Sequence, residues 1–208
     1  IPLFTLAGTV LASGKASSRL VRLFQAWLGW MPGGSAIAAV CVCAFFTTFT
    51  GGSGVTILAL GGLMLPVLIK QGYGEKFSLG LLTSSGSLGI LLPPSLLVIL
   101  YGVASHTPIN HLFIAGLVPG LMLVGLICGY ALFKTRSLQV NEHKFELASA
   151  LRALAESKWE LFLPVGVLYG IFSGRATLVE VAAAAAAYTL IIELAVHRDI
   201  KIGTDLPG

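Results

Sequence analysis

Between Arg22 and Lys70 the chain runs for 47 residues without an Asp, Glu, Lys or Arg, and between Lys76 and Lys134 for 57 more. A soluble domain carries about 25% charged residues, whereas only 11% of these 208 residues are charged and 56% are hydrophobic. A soluble core has no use for two uncharged tracts of that length. Disordered chains are polar and charged, so disorder is excluded as well. The expectation is an all-α, polytopic membrane protein; aqueous enzymes and nucleic-acid-binding modules drop out. The sequence starts at Ile1 in mid-pattern, without a basic start and a small-residue cleavage site, and reads as a piece of a longer polytopic protein. Cys41, Cys43 and Cys128 sit in apolar windows without metal-ligand spacing and read as packing residues.

A bilayer crossing needs about 20 apolar residues. Residues 1–32 read as the end of one transmembrane helix plus an interfacial helix carrying Lys15, Arg19, Arg22, Trp27 and Trp30. Residues 33–70 are apolar but broken at their centre, and 77–103 are long enough to span but are broken too. Residues 112–133 form an uninterrupted span. Residues 134–158 hold much of the remaining charge, with Leu147, Leu151 and Leu154 at helical spacing, as in a surface-lying amphipathic connector. Two further spans follow at 159–174 and 176–197, the second with six consecutive alanines from Ala182 to Ala187.

Charge placement supports this layout. If 33–70 leaves the membrane on the side it entered, 12 of the 13 basic residues share one side and only Arg175 does not. The loop Ser105 to His111 on the other side has no Lys or Arg. By the positive-inside rule the basic side is cytoplasmic. The same parity results whether 33–70 dips in and returns or crosses twice.

The two breaks share a chemistry. The first holds Thr47, Thr48, Thr50 and Ser53 with Gly51, Gly52 and Gly54. The second holds Thr83, Ser84, Ser85, Gly86, Ser87 and Gly89, then Pro93, Pro94 and Ser95. Unpaired backbone groups survive at membrane depth only inside protein or beside a cavity. Glycine permits tight turns, proline frees a carbonyl one turn earlier, and hydroxyls add oxygens. Together these supply neutral oxygen ligands for a hard cation such as Na⁺, and half-helix N-termini attract anions. Interrupted helices of this kind point to a transporter binding site.

The run from Phe45 to Gly102, FFTTFTGGSGVTILALGGLMLPVLIKQGYGEKFSLGLLTSSGSLGILLPPSLLVILYG, resembles the large permease subunit of TRAP transporters, DctM-like proteins of the ion-transporter superfamily. IPLFTLAG at the start, LFIAGLVPG at 112–120 and GRATLVEVAAAAAAY at 174–188 extend the likeness over almost the whole chain. The resemblance implies an elevator-type transporter of two inverted repeats, of which this chain covers about one. Residues 33–70 then correspond to a re-entrant hairpin and 77–103 to a discontinuous transmembrane helix. Thr50, Gly51, Gly52, Ser53 and Gly54 match the hairpin tip. Ser84, Ser85, Gly86, Ser87, Gly89, Pro93, Pro94 and Ser95 match the helix break. Many members have a serine-rich tip where this chain has Thr-Gly-Gly-Ser-Gly. The resemblance further implies Na⁺ as coupling ion with no other cofactor, largely backbone ligation, and uptake of organic acids such as C4-dicarboxylates. It also implies a small membrane subunit and a periplasmic binding protein as partners, in a bacterial inner membrane.

Gly51-Gly52-Ser53-Gly54 fits the GxSG of rhomboid-like intramembrane serine proteases, but a serine nucleophile needs a base, and His106, His111, His143 and His197 fall in loops or at a helix end. A non-transporting structural subunit would not need two broken segments. Arg175 is a candidate contact for an anion. Glu180 and Glu193 are functional candidates because carboxylates within spans are costly; lying near the outer and inner ends of their span, both are expected to reach water or the interface.

Overall fold

The computed structural model describes residues 2–136, 146–173 and 176–196. Among the described residues the secondary structure is helical, with no strand. The elements are α1 (Pro2–Ser13), α2 (Ala16–Leu28), α3 (Gly34–Thr50), α4 (Ser53–Lys70), α5 (Glu75–Gly86), a single 3₁₀ turn (Leu88–Ile90), α6 (Leu96–Ser105), α7 (Ile109–Thr135), α8 (Leu147–Glu156), α9 (Lys158–Phe172) and α10 (Leu178–Ile191), which runs into a π turn at Ile192–Val196.

Helix α3 is the axis of the fold. It packs against α1, α2, α4, α5 and α7, and Ala36, Ala39, Val40, Val42, Cys43 and Phe46 on it are almost fully enclosed. A helix apolar all round belongs in such a position. Helix α4 buries a single stripe, Thr56, Leu60, Met64 and Leu68, at four-residue spacing. Its other faces, including Val55, Leu58, Leu63 and Ile69, point outward and are apolar. Helix α7 does the same: Phe113, Gly120, Ala131 and Thr135 face inward, while Val118, Met122, Leu126 and Phe133 stand exposed. At 1.5 Å per residue α7 is about 40 Å long, more than the roughly 30 Å hydrocarbon core. By length and composition α4 and α7 are the two described helices able to cross a membrane.

The interrupted tracts become interrupted helices. α3 and α4 are joined by two residues, Gly51 and Gly52. α5 and α6 lie on either side of the 3₁₀ turn and a cis Pro93–Pro94 bond; end to end they amount to about 33 Å of helix, enough for one crossing only when taken together. The 3₁₀ turn is seated directly on α3. A Cβ on Gly89 would lie 2.5 Å from the Ala44 carbonyl oxygen and 2.5 Å from the Thr47 Cβ, so glycine is the residue that lets the two backbones meet.

A second packing unit joins α1, α9 and α10. Here Glu193 departs from expectation. It is fully buried instead of reaching water, because Arg19 of α2 comes to it. Glu180 is exposed and has a local role. Its carboxylate accepts from the Thr177 N–H at 2.7 Å while the Thr177 hydroxyl accepts from the Glu180 N–H, a capping box that starts α10. In α8, Leu147, Leu151 and Leu154 are outward, and Ala150 and Ala153 face the protein. Arg175, His143 and His197 lie outside the described residues.

The contrast between two helical glycines tests this packing. Gly89→Ala is expected to destabilise the protein by about 1–3 kcal/mol through overpacking. Gly80→Ala, with nothing within 4 Å of the added carbon, is expected to be neutral or stabilising by up to about 1 kcal/mol. Denaturant titration in mixed micelles checks both; equal effects would contradict the seating of the turn on α3.

Candidate functional site

The hairpin turn is built by a backbone reversal. Gly51 has φ +64, a left-handed conformation that ends α3, and its N–H donates to the Thr47 carbonyl at 3.0 Å. Gly52 is extended and starts α4 without a side-chain cap. A side chain on Gly51 would collide with Leu96, the first residue of α6. The hairpin tip therefore rests against the point where the broken helix restarts. The N-termini of α4 and α6 are neighbours there. Each offers unpaired N–H groups and the positive end of a helix dipole, and neither is occupied by a capping side chain.

Beneath the tip lies a set of buried neutral oxygens. The Thr47 hydroxyl is 2.8 Å from the Cys43 carbonyl, 2.9 Å from the Gly86 carbonyl and 3.0 Å from the Thr56 hydroxyl. Thr56 and Thr50 hydroxyls are 2.9 Å apart, and the Gly52 carbonyl lies 3.3 Å from Thr56. Thr47 and Thr56 are 1% and 0% exposed, and Thr50 is also buried. Three hydroxyl protons serve six oxygens, so lone pairs outnumber donors and several remain free for another electron-pair acceptor. The Ser85 hydroxyl, one residue before Gly86, is buried with no partner among the described residues. No Asp, Glu, Lys or Arg occurs in either tract that forms the cluster.

The expected site residues separate into groups. Thr50, Gly52, Ser85, Gly86 and Gly89 lie in or beside the oxygen cluster. Gly51 and Ser53 form the half-buried turn, and Gly54 is exposed. Pro94 and Ser95 are buried next to Leu96, with Pro93 half-buried. Ser84 and Ser87 are exposed and bond locally: Ser84 to the Gly80 carbonyl at 2.8 Å, Ser87 to the Ser84 carbonyl at 3.0 Å. Thr47, a member of the first break outside the residues matched to the hairpin tip, is the residue that bridges hairpin to helix break. One participant, Thr56, was absent from the expected set. Thr56 is the single polar member of the inward stripe of α4, and that anomaly on an otherwise apolar face is the signal that marks it.

Residues 1–206 match the family described as the tripartite ATP-independent periplasmic transporter, DctM component. The chain belongs to that family. It is 37% identical over 206 residues to the isethionate TRAP transporter permease protein DctMQ of Oleidesulfovibrio alaskensis, covering 98% of this chain and 32% of that protein. It is 37% identical over 203 residues to the C4-dicarboxylate TRAP transporter large permease protein DctM of Vibrio cholerae, covering 96% and 44%. It is 34% identical over 203 residues to the ectoine TRAP transporter large permease protein TeaC of Halomonas elongata, covering 97% and 48%. The chain thus spans about a third to a half of the length of the curated relatives it matches. The family is one of membrane transporters, and α4 and α7 are the described helices long and apolar enough to cross a membrane.

The bridging role of the two threonines has a direct test. Thr47→Val or Thr56→Val keeps the shape and strands buried oxygens, which costs about 1–3 kcal/mol. Ser87→Ala, at an exposed hydroxyl, stays within about 0.5 kcal/mol of the parent. Unfolding midpoints of the full-length permease in micelles measure all three, and a Thr56→Val protein as stable as the parent would contradict the cluster.

Proposed function

We propose that the chain supplies half of the ion and substrate site of a sodium-coupled, binding-protein-dependent permease that imports small organic acids such as C4-dicarboxylates across the bacterial inner membrane. Its partners would be a small membrane subunit and a periplasmic binding protein; one relative carries the name DctMQ. The observation that carries the reading is the meeting of two interrupted helices around neutral oxygens, with two helix N-termini beside them. In this reading 33–70 is a re-entrant hairpin and 77–103 a discontinuous transmembrane helix, and together they move against the α1–α9–α10 unit as an elevator.

The physics of coupling follows from the absence of fixed charge. Hydroxyl and carbonyl oxygens at Thr47, Thr50, Gly52, Thr56 and Gly86 suit a hard, monovalent cation. The N–H groups at the starts of α4 and α6 suit a carboxylate or another acid group. C4-dicarboxylates, isethionate and ectoine, the compounds in the relatives' names, all carry such a group. With no resident positive side chain, bound Na⁺ supplies the missing positive field, so ion and anion strengthen each other's binding. Linkage makes that gain reciprocal, and couplings of this sort amount to about 1–3 kcal/mol. No covalent step is involved.

Uptake in proteoliposomes holding the full-length permease, its small subunit and its cognate binding protein tests the reading. With labelled succinate, isethionate and ectoine as probes, at least one is expected to enter under an inward sodium gradient. Replacing sodium by potassium is expected to lower that uptake by about tenfold or more, equivalent to at least about 1.4 kcal/mol of coupling. Equal uptake in the two salts would contradict sodium coupling.

A further inference from the structure

Away from the hairpin tip, the fold encloses a compact set of charges. Arg19 in α2 is 6% exposed, Glu160 in the first turn of α9 is 4%, and Glu193 in the π turn after α10 is 0%. The Arg19 Nε donates to Glu160 Oε1 at 2.5 Å, and its Nη2 donates to Glu193 Oε1 at 2.9 Å. One guanidinium thus ties three segments that lie 141 and 174 residues apart in sequence. The planar fork of arginine can meet two carboxylates on different edges; an ammonium offers no such fixed geometry. A buried ion pair adds little net stability, since desolvation offsets the attraction. It does fix geometry, because separating the partners leaves a charge buried and unpaired.

The turn beyond α2 is short and rich in glycine. α2 ends at Leu28; Trp30, Met31 and Pro32 are exposed, whereas Gly29, Gly33 and Gly34 are buried, Gly34 against the Leu28 carbonyl and Gly33 against Thr135 of α7. Gly33 is left-handed at φ +76, and α3 starts at Gly34. This turn separates the pinned helix from the hairpin. On the outer face of α2, Arg22 meets Glu156 of α8 at 3.3 Å, a solvent-exposed pair of little strength, and α8 leads into α9 through Ser157.

We propose that Arg19 is a positioning residue for transport: it pins α2 to the α9–α10 frame, so that displacement of the hairpin and broken helix is taken up at Gly29–Gly34. The hinge part rests on the transport reading above; the pin does not.

Two arms separate them. In the full-length permease with its small subunit in nanodiscs, Arg19→Met is expected to raise amide hydrogen exchange over residues 16–28 by about tenfold or more while residues 53–70 stay at the wild-type level. Arg19→Lys should fall between. If Arg19→Met does not accumulate, Glu160→Gln combined with Glu193→Gln serves for the same measurement. Unchanged exchange over 16–28 overturns the pin. For the hinge, Arg22→Cys and Glu156→Cys are joined by a short bis-maleimide in a background with Cys41, Cys43 and Cys128 replaced by alanine. Joining should leave maximal uptake of whichever of succinate, isethionate or ectoine the wild type carries within about twofold, and Arg19→Met should lower the maximal rate while KM stays within about threefold. Loss of uptake on joining, with the unjoined protein active, would show that α2 itself moves and overturn the hinge. A wild type that carries none of the three probes overturns the transport reading and the hinge with it, and the exchange arm alone then decides the pin.

Discussion

Every backbone N–H and C=O in a bilayer needs a partner inside the protein, and the arrangement of this chain follows from that demand. Two helices are interrupted, and each interruption is covered by the other. Gly51 faces Leu96, Gly89 lies on the backbone of α3, and the Gly86 carbonyl lies within hydrogen-bond reach of the Thr47 hydroxyl. α3 is enclosed on several sides because it carries both the hairpin turn and the seat of the 3₁₀ turn. α4 and α7 present apolar outer faces, their backbones paired along the helix except where Pro66 and Pro119 each leave one carbonyl a turn earlier without its helical donor.

The local chemistry of the meeting point is set by what it lacks. A buried carboxylate would bind a cation strongly and would repel an acid beside it. Under the proposed coupling, three threonine hydroxyls and nearby carbonyls would bind a cation weakly by comparison and leave its charge uncompensated for a neighbouring anion. That balance would favour joint occupancy over tight capture of either partner, as a coupled carrier requires if it is also to release. The charged residues are kept elsewhere: Arg19, Glu160 and Glu193 among α2, α9 and α10, Glu180 at a helix cap, and Lys70, Glu75 and Lys76 around the turn between α4 and α5.

Much of this was legible in the sequence because membrane folding leaves strong local marks. Uncharged tracts give helices, and a glycine pair inside one gives the turn at Gly51–Gly52. A serine, glycine and proline run gives the interval between Gly86 and Leu96. What stayed hidden depends on which residues face each other across the fold. Thr56 looks like any threonine until the inward stripe of α4 is known. Ser84 and Ser87 look equivalent to Ser85 until helix rotation turns them outward. Glu193, near the end of a span, gives no local sign that an arginine 174 residues away reaches it. Long-range pairing of this kind leaves no periodic trace.

Sodium binding at the threonine cluster is the step on which the proposed coupling depends. Equilibrium binding of radioactive sodium to the purified full-length permease, read by scintillation proximity, measures this without any need to know the substrate. The prediction is saturable binding whose affinity drops by about tenfold or more, roughly 1.4 kcal/mol, when Thr47 and Thr56 are both replaced by valine. The Ser84→Ala, Ser87→Ala double variant should stay within about twofold of the parent, well under 1 kcal/mol. Sodium binding that survives loss of the two threonines, or that disappears with the two outward serines, would contradict it.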